Sequence, residues 1–125
     1  LKVAPEHTEY SVLKLMAKPS FKLFERLRME FDNIVYSSGK KCELVPYFIS
    51  GHPGCGMREM QRLARTPALK GLYMDQVQDF TPTPMTTSSV MFYTGLDPKN
   101  LEKVFVERDL ERKKEQKSFF FRRGK

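Results

Sequence analysis

The stretch Glu43–Arg65, ELVPYFISGHPGCGMREMQRLAR, constrains the fold more than any other part of this sequence. It opens on Leu44, Val45, Tyr47, Phe48 and Ile49, turns at Ser50-Gly51-His52-Pro53-Gly54-Cys55-Gly56, and resumes as a helix-like segment from Met57 to Arg65. A buried strand, a tight glycine turn and a following helix make the first half of a βαβ unit. The apolar residues of 43–49 are nearly continuous rather than alternating, which predicts burial on both faces, as in a parallel sheet. Pro46 removes a ladder donor and calls for a bulge or an edge position. Ligands of open or barrel-like parallel sheets sit at the carboxyl ends of the strands, so residues 50–56 are the first place to look for function.

Two more strands flank this unit. Leu1-Lys2-Val3-Ala4-Pro5 reads as the end of a short strand, with Glu6-His7 at its tip. Thr8 is placed to cap a helix that carries Val12, Leu13, Met16 and Ala17 at helical spacing and stops at Pro19. Ser20 can cap a second helix, with Phe24, Leu27, Phe31, Ile34 and Val35 as its apolar stripe. Gly39 suits the left-handed position that ends it. Pro67 cuts short the helix after the glycine turn. Asp75–Phe80 reads as a third strand, and Thr81-Pro82-Thr83-Pro84 as an extended loop at its tip. Ser88–Tyr93 is a short helical or extended segment closed by Gly95, 101–106 is ambiguous, and 107–121 is rich in charged helix formers. This order implies right-handed parallel crossovers. The expected fold is α/β, about three parallel strands with crossover helices over residues 1–106, followed by a basic helical tail, 107–125.

Composition narrows the classes. With 125 residues and 40% hydrophobic content, one packed domain or a piece of one is expected. The chain begins Leu-Lys-Val in what reads as a strand, as a segment cut from a larger protein would. No apolar run approaches the roughly 20 residues of a membrane span, and no secretory leader pattern is present. Two cysteines make no disulfide framework, which points to a reducing cytoplasm. The net charge of +7 permits attraction to nucleic acid. Residues 112–125 hold seven Lys/Arg against one Glu. That run reads as a solvated helix face, or alternatively as part of a basic RNA-binding module.

Each candidate group has a plain structural reading beside the functional one. The three glycines of the turn let backbone approach a ligand, and the helix start offers free amides, but an ordinary tight turn needs the same residues. The Gly-Lys-Ser/Thr ending of a P-loop is missing. His7, Cys42, His52 and Cys55 fail as a zinc set, because Cys42 precedes the strand and lies roughly 20 Å from its other end. Cys42 is expected to be a small buried hydrophobe. Glu6 could bind an amine or a ribose hydroxyl, or simply favour the start of the next helix. Asp79 in a strand needs a partner or a cavity. The rings of Phe119-Phe120-Phe121 are expected to pack on the core.

Longer stretches carry a family resemblance. Leu1-Lys2-Val3-Ala4-Pro5-Glu6-His7 with Val12-Leu13-Lys14-Leu15-Met16 resembles the fourth-strand region of radical SAM enzymes. Ser50-Gly51-His52-Pro53-Gly54 resembles their turn after the fifth strand, and Val77-Gln78-Asp79-Phe80-Thr81-Pro82-Thr83-Pro84 their sixth strand and its Pro-rich ending. His-Pro-Gly-Cys, the latter run and Tyr93-Thr94-Gly95 together resemble the YgiQ-type branch, from Leu1 to about Phe121. The resemblance implies part of a (β/α)6 TIM-type barrel. It also implies a 4Fe–4S cluster and S-adenosylmethionine in the parent protein, which would yield a 5′-deoxyadenosyl radical. The family's Cys-x3-Cys-x2-Cys cluster loop has no counterpart here, and its Glu-Thr after Pro-Gly is Cys55-Gly56 in this chain.

Carried over by position, Glu6 would contact the polar part of the cofactor. Ile49, Ser50 and Gly51 would lie near the adenosine, and Phe80 and Thr81 near the adenine. His52 and Asp79 are substrate-side candidates; no residue is assigned catalysis and none a metal. The expected partners are the missing N-terminal half and an electron donor such as flavodoxin or ferredoxin. The segment alone is expected to bind no cofactor and to be inactive, with the parent enzyme in the cytoplasm, away from membrane, and its substrate unassigned.

Overall fold

The computed structural model describes residues 1–74 and 76–121. Three strands, β1 (Lys2–Glu6), β2 (Val45–Ser50) and β3 (Val77–Asp79), form one parallel sheet in the order β1-β2-β3. Between β1 and β2 run α1 (Tyr10–Leu15) and α2 (Lys22–Ser38); α3 (Met57–Ala64) follows β2, and α4 (Thr87–Thr94) and α5 (Leu110–Phe121) follow β3. The sheet is open and does not close into a barrel. The fold is α/β with parallel crossovers, as the residue pattern predicts. The first residue of the expected third strand, Asp75, lies outside the described residues, as do residues 122–125 of the basic tail.

One hydrophobic core joins the sheet to every α-helix except α4. Phe48 and Val77 from the strands meet Val12 and Leu13 of α1, Phe24 of α2, Met60 and Leu63 of α3, and Phe120 of α5. The Phe48 and Phe120 rings lie 5.6 Å apart. Thus the Phe119-Phe120-Phe121 run does feed the core: Phe120 is fully buried, Phe119 packs beside it, and Phe121 is half exposed.

Several local expectations are corrected. β2 alternates instead of being covered on both faces: Pro46, Phe48 and Ser50 are buried, whereas Val45, Tyr47 and Ile49 are only partly covered. One face of β2 is thus fully buried and the other only partly covered. Pro46 sits in the central strand, and the β1–β2 register slips just after its partner Val3; that irregularity accommodates the missing donor. Thr8 caps nothing: α1 starts after Glu9 without a side-chain cap, and the Thr8 hydroxyl is buried without a partner. α1 also ends at Leu15, before Pro19, with Ala17 at φ +55°. Ser20 does receive the Lys22 N–H at 3.3 Å. The α2 stripe is only half used. Phe24 and Phe31 reach the core, but Ile34 is 67% exposed and Leu27 36%. Gly39 ends α2 at φ +64°, as expected. Residues 101–106 form neither helix nor strand; Leu101 has φ +60°, and one antiparallel bridge, Leu96–Lys103, ties the segment back.

Candidate functional site

The parallel register brings the three strand ends to one edge. Glu6 pairs with Phe48, and Ser50 pairs with Asp79. The glycine turn leaves β2 from this edge, with Gly51 at φ +69° and Gly54 at φ +85°, a region open to glycine and strained for other residues. An added Cβ at Gly54 would also stand 2.5 Å from Leu15 Cδ1, so the Leu15 side chain would have to move. Gly56 then caps α3, its N–H donating to Glu59 Oε2 at 2.9 Å.

Two polar networks hold this edge. In the first, the Glu9 N–H donates to His7 Nδ1 at 3.0 Å. That nitrogen is therefore bare, so neutral His7 carries its proton on Nε2 and donates it to Cys55 Sγ at 3.4 Å. The thiol in turn points at Gln116 Oε1, 3.7 Å away, which also accepts the Gly51 N–H at 3.2 Å. Gln116 Nε2 closes the ring by donating to the Cys55 carbonyl at 3.2 Å. His7, Cys55 and Gln116 are fully buried. Burial, with a smaller push from His52, lowers the His7 pKa to about 3. Burial above all raises the Cys55 thiol to about 12. The pair is thus a neutral imidazole against a neutral thiol, not an activated thiolate.

In the second network, His52 Nδ1 lies 2.8 Å from the Pro53 carbonyl and Nε2 lies 2.8 Å from Ser88 Oγ. A carbonyl can only accept, so Nδ1 carries the proton, Nε2 is bare, and the Ser88 hydroxyl is the donor. Burial lowers the His52 pKa below its ordinary value, against smaller upward pulls from the Pro53 carbonyl and Glu6. The Phe80 ring meets the His52 ring edge-on at 5.0 Å, and Phe92 lies 5.8 Å beyond Phe80.

Comparison with known proteins finds similar sequence in longer proteins. A domain of unknown function, DUF3362, matches residues 75–123. A UPF0313 protein of Bacteroides thetaiotaomicron is 46% identical over 97% of this chain, which covers 20% of that protein. Its counterpart in Porphyromonas gingivalis is 45% identical over 97% of the chain, covering 19% of its length. One from Methanosarcina acetivorans is 43% identical over 99% of the chain, covering 17%. Nearly the whole chain matches one stretch of UPF0313 proteins. This agrees with the YgiQ-type resemblance. The chain spans about one fifth of the length of the curated relatives it matches. No solved structure matches it.

Within this chain the expected site residues differ in how far their polar groups are already engaged. Glu6 is partly buried at the β1 tip, with φ +65° and its carboxylate 3.1 Å from Lys18 Nζ. Ile49 lies on the partly covered face of β2, and Thr81 is exposed beside the partly covered Phe80. Ser50 and Gly51 are engaged. The Ser50 hydroxyl donates to Asp79 Oδ1 at 2.9 Å, its carbonyl accepts the Phe80 N–H at 2.8 Å, and the Gly51 N–H is held by Gln116. Asp79 has the partner its charge requires, Lys117 Nζ at 3.3 Å, in a pair open to solvent. His52 is 3% exposed with both nitrogens bonded, so it reaches outward only through Ser88.

Cys42 corrects another expectation. It is exposed at the start of the loop into β2, not buried, while Cys55 is buried past the other end of that strand. Among the described residues no three His, Cys, Asp or Glu side chains come together as a metal site, and no helix is long and apolar enough to cross a membrane. Sequence reading missed Gln116 and Ser88. Ser88 stands in a run of Thr and Ser that looks like any helix start, and Gln116 sits inside a charged stretch. Neither carries a local signal.

Proposed function

We propose that this segment is part of a radical S-adenosylmethionine enzyme and contributes one wall of its cofactor site. The observation that supports the reading is that Glu6, Ile49 and Phe80-Thr81 stand at or beside the carboxyl ends of three parallel strands. The residues present fit S-adenosylmethionine in part. A carboxylate at Glu6 suits the cofactor's amine once it exchanges its ion pair with Lys18, the partly covered Ile49 suits the adenosine, and Phe80 with Thr81 suits the adenine. Ser50 and Gly51 contribute backbone shape, because their polar groups are already bonded.

The residues do not fit an iron–sulfur cluster. Cys55 is locked in a buried neutral network and Cys42 is exposed at the far end of β2. In this reading the cluster is held by other parts of the longer protein, and no step through it is assigned to these residues. When both groups are bound, they supply hydrogen-atom abstraction. The rest of the polypeptide and a flavodoxin- or ferredoxin-type electron donor complete the enzyme, in the cytoplasm.

The test uses the full-length protein, anaerobically reconstituted with iron and sulfide and reduced with dithionite. A 4Fe–4S absorbance and 5′-deoxyadenosine in the products are expected. Glu6→Gln should weaken S-adenosylmethionine binding about tenfold, the cost of losing a charged hydrogen bond. A stoichiometric cluster on residues 1–125 alone, or a full-length protein that neither loads a cluster nor cleaves S-adenosylmethionine, ends the proposal.

A further inference from the structure

The His52–Ser88 pair is not used in the reading above and stands independently of it. Ser88 Oγ donates to His52 Nε2 at 2.8 Å, and His52 Nδ1–H is fixed by the Pro53 carbonyl at 2.8 Å. This is the arrangement of a hydroxyl, its base and a group that orients the base, with a backbone carbonyl in the place more often taken by a carboxylate. The ring is 3% exposed and braced by Phe80, so its tautomer and direction are set. Ser88 is only partly covered and occupies the first turn of α4, where the helix dipole favours a developing negative charge on oxygen.

We propose that Ser88 is a base-assisted nucleophile, with His52 as its general base, that accepts an acyl group from an activated ester. As Ser88 Oγ bonds to the acyl carbon, the Oγ–H bond breaks and its proton passes to His52 Nε2. The bond from the acyl carbon to the leaving group then breaks; the leaving group keeps the electron pair and takes the proton from Nε2. The products are acyl-Ser88 and an alcohol. The Ser89 amide, which could otherwise stabilise the oxyanion, already donates to Thr86 Oγ1 at 3.2 Å. The pair is therefore suited to a single slow acylation rather than rapid turnover.

The groups facing His52 are Glu6 and His7 from the β1 tip, Phe80 from the end of β3 and Ser88 from α4. Buried and neutral, the imidazole keeps Nε2 free of a proton at neutral pH, and the same burial makes it a weak base, in keeping with a slow acylation.

The probe is p-nitrophenyl acetate with the full-length protein, followed by peptide mapping. A burst of up to one equivalent of p-nitrophenolate with acetyl on Ser88 is expected. Ser88→Ala should remove that acetyl, and His52→Gln should slow its appearance at least tenfold. The wild-type rate should rise with pH through one ionisation below 6.5 and then level off. No acetyl on Ser88, an unchanged rate in His52→Gln, or a wild-type rate still climbing through pH 9 would overturn the proposal. The last reading needs no variant to fold, and none of them depends on S-adenosylmethionine or a cluster.

Discussion

His7 Nε2 lies 3.4 Å from Cys55 Sγ, joining the tip of the first strand to the turn after the second. In an open cleft such a pair would invite reading as a catalytic dyad. Here desolvation decides the matter: it holds the imidazole and the thiol both uncharged, and Gln116 satisfies the thiol from the far side.

The two cysteines should therefore react very differently. With its thiol pushed up to about 12, Cys55 is roughly one part in ten thousand thiolate at pH 8, and it is also inaccessible. Cys42 is exposed. Alkylation of the native protein with iodoacetamide, read by peptide mapping, should mark Cys42 within minutes and Cys55 only after denaturation. Early labelling of Cys55 would show that the network opens readily.

Acid should loosen the fold through the same network. The His7 pKa is lowered from 6.5 unfolded to about 3 folded, so the unfolded chain takes up a proton that the folded one refuses. Its contribution is intact above pH 6.5 and is lost progressively as pH falls from 6.5 towards 3. The lowered pKa of His52 acts in the same direction. Urea midpoints measured at pH 7 and pH 4.5 should fall with acid, and His7→Gln should flatten part of that fall. Equal slopes in the two proteins would remove His7 from the account.

Gln116 should matter more than its place in a charged helix suggests. Gln116→Leu keeps the volume but leaves the Gly51 N–H and the Cys55 carbonyl buried without their partner. A loss of about 2–4 kcal/mol in denaturant unfolding is expected. A change under about 0.5 kcal/mol would mean that water replaces the carboxamide.

The core end of α5 offers a plainer comparison. Phe120 is 1% exposed against Phe48, and Phe121 beside it is 53% exposed. Phe120→Ala should cost about 3–5 kcal/mol and Phe121→Ala much less. Equal costs would mean that α5 is docked on a different face.

Two glycines separate backbone strain from lack of room. Gly39 and Gly54 both have positive φ, but only Gly54 faces a side chain, Leu15, at contact distance. Gly39→Ala should lose about 1 kcal/mol from the left-handed conformation alone. Gly54→Ala should lose more, with the difference reduced when Leu15 is also shortened to Ala. An equal loss at the two sites would mean that the Leu15 contact carries no cost.

Much of the architecture was legible in the sequence because it is written in local chemistry. The glycine run after Phe48-Ile49-Ser50 can only be a turn, Gly39 can only end a helix comfortably, and Pro67 interrupts α3 at once. What escaped was set by neighbours distant in sequence. The apolar run of β2 gave no hint that Tyr47 and Ile49 would be half open, since that depends on which face the helices choose. Cys42 looked like core material, and only the path of the chain after Gly39 leaves it outside. Among the candidate site residues, Glu6, Gly51 and Phe80 could be assigned to strand ends from their positions alone. The engagement of Gly51 by Gln116, 65 residues away, could not.

That 65-residue span also fixes an order of events during synthesis. The bend after β2 leaves the ribosome long before α5 exists, and until Gln116 emerges the Gly51 amide and the Cys55 carbonyl lack its carboxamide. The nascent chain must carry an unsettled bend through the translation of everything between them. A stop codon anywhere before α5 would leave that bend permanently unfinished, whatever the quality of the strands already made.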